Sequence, residues 1–185
     1  MKLLIASDLH GSAFFTEKLI EAFTREKADR LLLLGDILYH GPRNDLPKDY
    51  APKKVVELLN RYKDKIFCVR GNCDADVDQK VLEFPIKAEY CVLTVGERLI
   101  YATHGHLCNM DRMPPLSEGD ILLNGHTHIP ACEAFGNNNI YMNCGSVSIP
   151  KGDSTNSYMT LENGEFRWKN IEGAEFNRYF IKSFV

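Results

Sequence analysis

The chain has no long apolar run, no CxxC pair and no excess of positive charge, and each gap excludes something. Without an apolar stretch of about 20 residues, no membrane-spanning helix is expected. Met1 to Ala6 is too short for the apolar core of a secretory signal, and Ser7-Asp8 interrupts it. Six cysteines would allow three disulfides, but a chain of 185 residues does not need staples. Reduced thiols in a cytoplasmic protein are the expectation. A net charge of −3 advertises neither nucleic acid nor an acidic membrane as a partner. No basic groove interleaved with aromatics is present to read bases. Repeats, low-complexity segments and linkers are also missing, so one domain over residues 1–185 is expected. The 44% hydrophobic content is enough for a core and argues against disorder.

What is present begins with Leu31-Leu32-Leu33-Leu34-Gly35-Asp36. Four leucines in a row suit a strand buried on both faces, and Asp36 stands at its carboxyl end, where open α/β sheets place their ligands. Lys2 to Ala6 reads as a strand, and Ser12 to Lys27 as a helix with Ser12 as N-cap. The leucine strand then implies a parallel pair. Pro52 to Tyr62 reads as a second helix, Lys65 to Val69 as a third strand, and Asp76 to Phe84 as a short helix. The loop from Tyr39 to Ala51 is long for a compact domain, which favours a functional role. After Pro85 the pattern turns to hairpins, with strands at Ala88–Val95, Arg98–Thr103, Ile121–Leu123, Ala131–Phe135, Ile140–Asn143, Ser157–Glu162 and Phe166–Lys169. Asn163-Gly164 is a strong hairpin turn. The tail, Glu175 to Val185, is too short to assign. This order supports the α/β class, and two sheets packed face to face with helices outside would bury both halves.

Five segments share one design: an apolar strand, a turn, then a side chain able to bind a metal. They carry Asp8 and His10, Asp36, Asn72, His104, and His126 with His128. Five of the six histidines lie in three such turns, where chance would scatter them. Oxygen donors with imidazoles suit Mn, Zn, Fe, Ni or Mg. Seven ligands are too many for one tetrahedral zinc, but enough for two metals if one carboxylate bridges.

The set Asp8-x-His10, Gly35-Asp36, Gly71-Asn72, His104-Gly and Gly125-His126-x-His128 resembles the calcineurin-like metallophosphoesterase superfamily. The stretches His40-Gly-Pro-Arg43-Asn, Gly71-Asn72-Cys73-Asp74 and Gly145-Ser-Val-Ser-Ile-Pro-Lys151-Gly resemble its YfcE-type phosphodiesterases more narrowly. The resemblance implies a four-layer α/β/β/α sandwich of two mixed sheets flanked by helices, the metallo-dependent phosphatase fold. It implies two divalent ions, manganese first. Asp8, His10, Asp36 and His128 would hold one, and Asp36, Asn72, His104 and His126 the other, with Asp36 as bridge. The implied activity is a phosphodiesterase in which a metal-bridging hydroxide attacks phosphorus in line. A small-molecule phosphodiester is the implied substrate, and a homodimer or homotetramer the implied assembly.

Many members of the superfamily carry Gly-Asn-His where this chain has Gly71-Asn72-Cys73. Cys73 offers only a weak S–H donor, or a thiolate that repels phosphate. Substrates with good leaving groups, or help from His40, are the two ways round this. Arg43 suits forked hydrogen bonding to phosphate, and Asp74 could orient a ligand or water. His106 reads as a neighbour of the ligands and Lys151 as a surface lysine within reach of phosphate. Two other readings stand beside the enzyme: a retromer-subunit-like scaffold on the same fold, and a single-metal storage or sensing protein. The complete ligand set favours the enzyme.

Overall fold

The computed structural model describes residues 1–181. The last four residues of the tail, 182–185, lie outside the described residues. The chain runs β1 (Leu3–Ala6), α1 (Ala13–Arg25), β2 (Arg30–Leu33), α2 (Pro52–Asn60), β3 (Ile66–Cys68), then β4 (Tyr90–Val95), β5 (Arg98–Thr103), β6 (Ile121–Asn124), β7 (Pro130–Phe135) and β8 (Asn139–Cys144). It ends with β9 (Ser157–Glu162), β10 (Glu165–Asn170) and β11 (Glu175–Phe180). Two mixed sheets result, one ordered β11-β10-β9-β1-β2-β3 and one ordered β4-β5-β6-β8-β7. β1, β2 and β3 are parallel, in register from Leu3 with Arg30 and from Leu31 with Ile66.

The leucine run shows how one strand serves two cores. Leu31 and Leu33 point into the core beneath the helices, with Leu19, Phe23, Val55 and Leu59. The alternate residues Leu32 and Leu34 point into the core between the sheets, with Ile100, Leu123, Met142 and Trp168. All four are at most 2% exposed. Burying a leucine contributes about 1.5–3 kcal/mol, so this short strand is strongly fixed in place. α1 is capped as expected, Ser12 Oγ accepting from Phe15 N at 3.2 Å.

Both helices pack on the same side, against the first sheet. The second sheet's outer face carries no helix among the described residues. Its hairpin β4–β5 leaves Tyr90, Val92 and Leu99 exposed there, with Tyr90 stacked on Tyr101 at 4.8 Å. The link from β5 to β6, residues 104–120, is irregular, and its prolines at 114 and 115 explain why no helix forms. The helix expected at Asp76–Phe84 shrinks to a single 3-10 turn, Asp78–Lys80. Gln79 explains it: its amide bonds Leu82 O and Phe84 O and accepts from Ile86 N, stitching the segment irregularly. Asn163 and Gly164 form the expected hairpin turn, both at positive φ. The tail adds β11, an edge strand that mixes Glu175, Asn177 and Arg178 with three aromatics and pairs with β10.

Candidate metal centre

The loops that follow β1 and β2 run side by side and prolong the parallel pairing past the strand ends. Asp8 N donates to Gly35 O at 3.1 Å, His10 N to Asp36 O at 2.9 Å and Gly11 N to Ile37 O at 2.8 Å. This sets Asp8 and His10 beside Asp36. Asp74 closes the arrangement from below: its carboxylate accepts from Asp36 N at 2.9 Å, Ile37 N at 2.8 Å and Gly71 N at 2.7 Å. Gly71 lies so close to Asp36 that any Cβ there would collide with the carboxylate. Asp74 therefore orients the backbone that presents Asp36.

Asp8, His10, Asp36, His126 and His128 all have φ between 47° and 66°. This left-handed region costs roughly 1–2 kcal/mol per residue, although Asp and His tolerate it better than most. Strain of this kind concentrates at functional sites.

The side chains converge from both sheets. His10 Nδ1 lies 2.8 Å from Tyr39 O, His104 Nδ1 2.6 Å from Leu34 O and His128 Nδ1 2.7 Å from Ile149 O. A carbonyl can only accept, so each Nδ1 carries a hydrogen and each Nε2 is presented inward, the arrangement of a metal-ligating histidine. His10 Nε2 faces His128 Nε2 at 3.3 Å. His104 Nε2 meets Asn72 Oδ1 at 3.0 Å and His126 Nδ1 at 3.2 Å. Asp8 Oδ1 is buried without a hydrogen-bond partner, 3.2 Å from His128 Nε2 and 3.5 Å from His10 Nε2. Asp36 Oδ2 stands between the two groups, 3.7 Å from His10 Nε2 and 3.4 Å from His104 Nε2. Lone pairs facing one another in a buried site repel unless a proton or a cation lies between them.

The electrostatics say the same. Burial raises the Asp8 carboxyl, but the His10 and His128 rings more than reverse this and hold it well below the ordinary range. Burial likewise opposes ionisation of Asp36, and the His104 ring brings its pKa down. Burial works against a proton on His104, yet the Asp36 carboxylate pushes its pKa up to about 9. His126, partly buried beside His104, falls to about 4. Two ionised carboxylates thus sit in a pocket that holds positive charge. Asp8, His10 and His128 have donor atoms within 4.8 Å of one another, as do Asp8, Asp36 and His104, and His10, Asp36 and Cys73. Carboxylate and imidazole donors of this kind fit divalent ions.

The other expected residues are placed as follows. Asn72 is exposed beside His104, and Cys73 is half-buried with its N donating to Asp36 Oδ1 at 2.8 Å. Burial and the Asp36 charge push the Cys73 thiol up to about 12. A cleft of about 270 Å³ opens above the donors, lined among others by Arg43, Asn44, Cys73 and Lys151. His40 is not in that lining: its ring packs edge-on between Tyr39 and Tyr50, at 4.7 and 5.2 Å between centroids. Tyr39 O nevertheless orients His10, so the loop serves the site through its backbone. His106 stacks edge-on against His104 at 5.3 Å. It lines a second cleft of about 210 Å³ with Arg70, Glu89 and Leu107, and the two clefts meet at Asn72. All six cysteines are free. No described helix is long and apolar enough to cross a membrane.

Sequence reasoning missed the segment that buttresses Asp8. Ser146 Oγ and Ser148 Oγ both donate to Asp8 O, at 2.9 and 2.8 Å. The only signal for it was the run Gly145 to Gly152, noted as a family likeness without a role.

Comparison with known proteins identifies the family. Residues 1–165 match the calcineurin-like phosphoesterase superfamily domain. The chain is 48% identical over 163 residues to phosphodiesterase YfcE of Escherichia coli K12, covering 88% of each chain. It is 29% identical over 172 residues to the probable metallophosphoesterase YsnB of Bacillus subtilis, covering 88% of this chain and 86% of the other. The solved structure of the E. coli phosphoesterase Yfce superposes with a TM-score of 0.94 at 44% identity, over 98% of this chain and 100% of that one. Vps29 of Chaetomium thermophilum, at 16% identity and a TM-score of 0.61 over 99% of this chain and 98% of that one, shares the fold.

Proposed function

The chain belongs to the calcineurin-like phosphoesterase superfamily, and we propose that it is a divalent-metal-dependent phosphodiesterase of small molecules, built as one catalytic domain. The observation that carries the reading is Asp8 Oδ1, buried without a hydrogen-bond partner against two inward-facing imidazole nitrogens. The reading assigns Asp8, His10, Asp36 and His128 to one ion, and Asp36, Asn72, His104 and His126 to a second. Manganese is the first choice, with Zn, Fe, Ni or Mg as alternatives. When bound, such ions supply positive charge to the phosphoryl oxygens and acidify water to a nucleophile.

The chain's own residues do the rest. Asp36 aligns both ligand groups. Arg43 and Lys151, in the cleft lining, meet the remaining phosphate charge. Cys73, half-buried beside Asp36, offers only a weak S–H donor and leaves the departing group largely unassisted. Good leaving groups are therefore favoured. Two clefts meeting at Asn72 leave room for an ester arm on each side of phosphorus, which supports a diester over a monoester. Six free cysteines fit a cytoplasmic setting. The exposed Tyr90, Val92 and Leu99 support a homodimer or homotetramer.

Hydrolysis of bis-p-nitrophenyl phosphate tests this. Turnover should appear with manganese and vanish with chelator. Absence of metal-dependent turnover across Mn, Zn, Fe, Ni and Mg would favour a non-catalytic interaction scaffold on the same fold.

A further inference from the structure

We propose that residues 145–151 form a brace that sets one metal position more than the other, with Ser146 and Ser148 as its positioning residues. The inference rests on the metal-centre reading above, and assigns within it what holds each ligand.

Asp8 and His128 belong to the same proposed ligand group and come from different sheets, one from the turn after β1 and the other from the turn between β6 and β7. The segment ties both. Ser146 Oγ and Ser148 Oγ donate to Asp8 O, filling both lone pairs of that carbonyl. Val147 N donates to Ser7 O at 3.1 Å, continuing the clamp by one residue. Ile149 O receives the His128 Nδ1 hydrogen at 2.7 Å, and Lys151 N donates to His128 O at 3.2 Å. Ser146 Oγ in turn accepts from Ile149 N at 3.0 Å, so the clamp on Asp8 and the clamp on His128 are joined through one hydroxyl. Both serines are buried, at 0% and 5% exposed, where water cannot replace a lost hydroxyl. Asp8 and His128 both hold left-handed backbone, at φ 60° and 64°, which needs support from outside.

The other ligand group is held differently. His104 leans on Leu34 O, His126 Nδ1 meets its neighbour ring, and exposed Asn72 bonds His104 and Cys73. The groups are tied at this point by His126 N, which donates to Asp8 Oδ2 at 3.0 Å. Among the described residues, no hydrogen bond joins the segment to His104, His126 or Asn72. Partners behind a metal ligand commonly set affinity by about 10–100-fold. The brace bonds the Asp8 and His128 backbone and ring directly and reaches the other group only through the Asp8 carboxylate, so it should act chiefly on one ion.

The test uses the full chain and Mn²⁺, with affinities from calorimetry and the spin-coupled or isolated manganese signal from electron paramagnetic resonance. In a His126→Ala background, which removes a ligand of the second position, Ser146→Ala/Ser148→Ala should weaken the remaining ion about tenfold or more. In a His10→Ala background the same pair should change the remaining affinity less than about twofold. In the otherwise native chain the pair should turn a coupled two-manganese spectrum into an isolated-ion spectrum at equal metal. Ser148→Ala alone removes one bond and guards against a misfolded double variant; it should show a smaller loss in the same position, and Ser148→Thr should restore it. Equal losses in both backgrounds, no loss in either, or a Thr variant as weak as Ala would overturn the proposal. If the native chain binds a single Mn²⁺, the two-ion reading falls. The brace is then judged on whether the serine pair weakens that ion.

Discussion

At the scale of single residues, Asp36 decides most. Its Oδ2 lies within 4 Å of an imidazole nitrogen from each ligand group, at 3.7 and 3.4 Å. Asp36→Asn should weaken both metal positions together and abolish turnover, while the melting temperature of the metal-free protein moves little. Metal counting by mass spectrometry checks this, and loss of one ion alone would contradict the bridging role. Cys73 is the second case. An S–H group is a weak hydrogen-bond donor, so in the proposed reaction Cys73 would give the departing alcohol or phenol little help. The rate should fall steeply as the leaving group's pKa rises, and Cys73→His should flatten that dependence. An unchanged slope would mean that Cys73 is only a small neighbour of the centre. The candidate ligands were legible in the sequence because each stands where an apolar strand stops. Ser146 and Ser148 were not, since a hydroxyl bonding a distant carbonyl, 138 and 140 positions away, leaves no periodicity to read.

At the scale of elements, the buried carboxylate of Asp74 ties the turn after β2 to the turn after β3. Asp74→Ala would leave three main-chain N–H groups without acceptors. Each bare buried donor costs about 1–3 kcal/mol, so a loss of roughly 3 kcal/mol or more is expected from urea unfolding of the metal-free protein. Sequence pattern anticipated Asp74 as a partner near the site, yet it acts on the backbone beneath Asp36. The leucine strand was read as buried on both faces, and its alternation into two cores is that burial. The helix expected at Asp76–Phe84 failed because the Gln79 amide outcompetes helical hydrogen bonds over so short a run. The helices on one side only, and the added strand β11, depended on tertiary packing that local propensity does not encode.

Across the whole molecule, Glu26 at the end of α1 joins the helix to the first sheet through Lys2, Lys169 and Tyr158. Burial raises its carboxyl, but Lys169 and then Lys2 bring the pKa from 4.5 to about 2. A depressed carboxylate stabilises above its ordinary pKa, and the gain is lost as pH falls from about 4.5 towards 2. Glu26→Gln should therefore cost about 1–2 kcal/mol at neutral pH after allowing for solvent screening, and little near pH 2. Unfolding curves of both proteins across that range check the sign. Chelation should lower the melting temperature as well, since ions that bind only the folded chain add about 2.7 kcal/mol at a hundredfold excess over Kd.

The clamp of Ser148 on Asp8 spans 140 positions, and His10 meets His128 across 118. During synthesis the first ligands leave the ribosome long before their partners exist. Loops this long close late and slowly. The nascent chain thus carries scattered Asp and His side chains, and the proposed metal centre is assembled only after residues as late as 148 have been made. On the proposed metal-centre reading, folding order, and not only donor chemistry, would set when the chain can capture an ion.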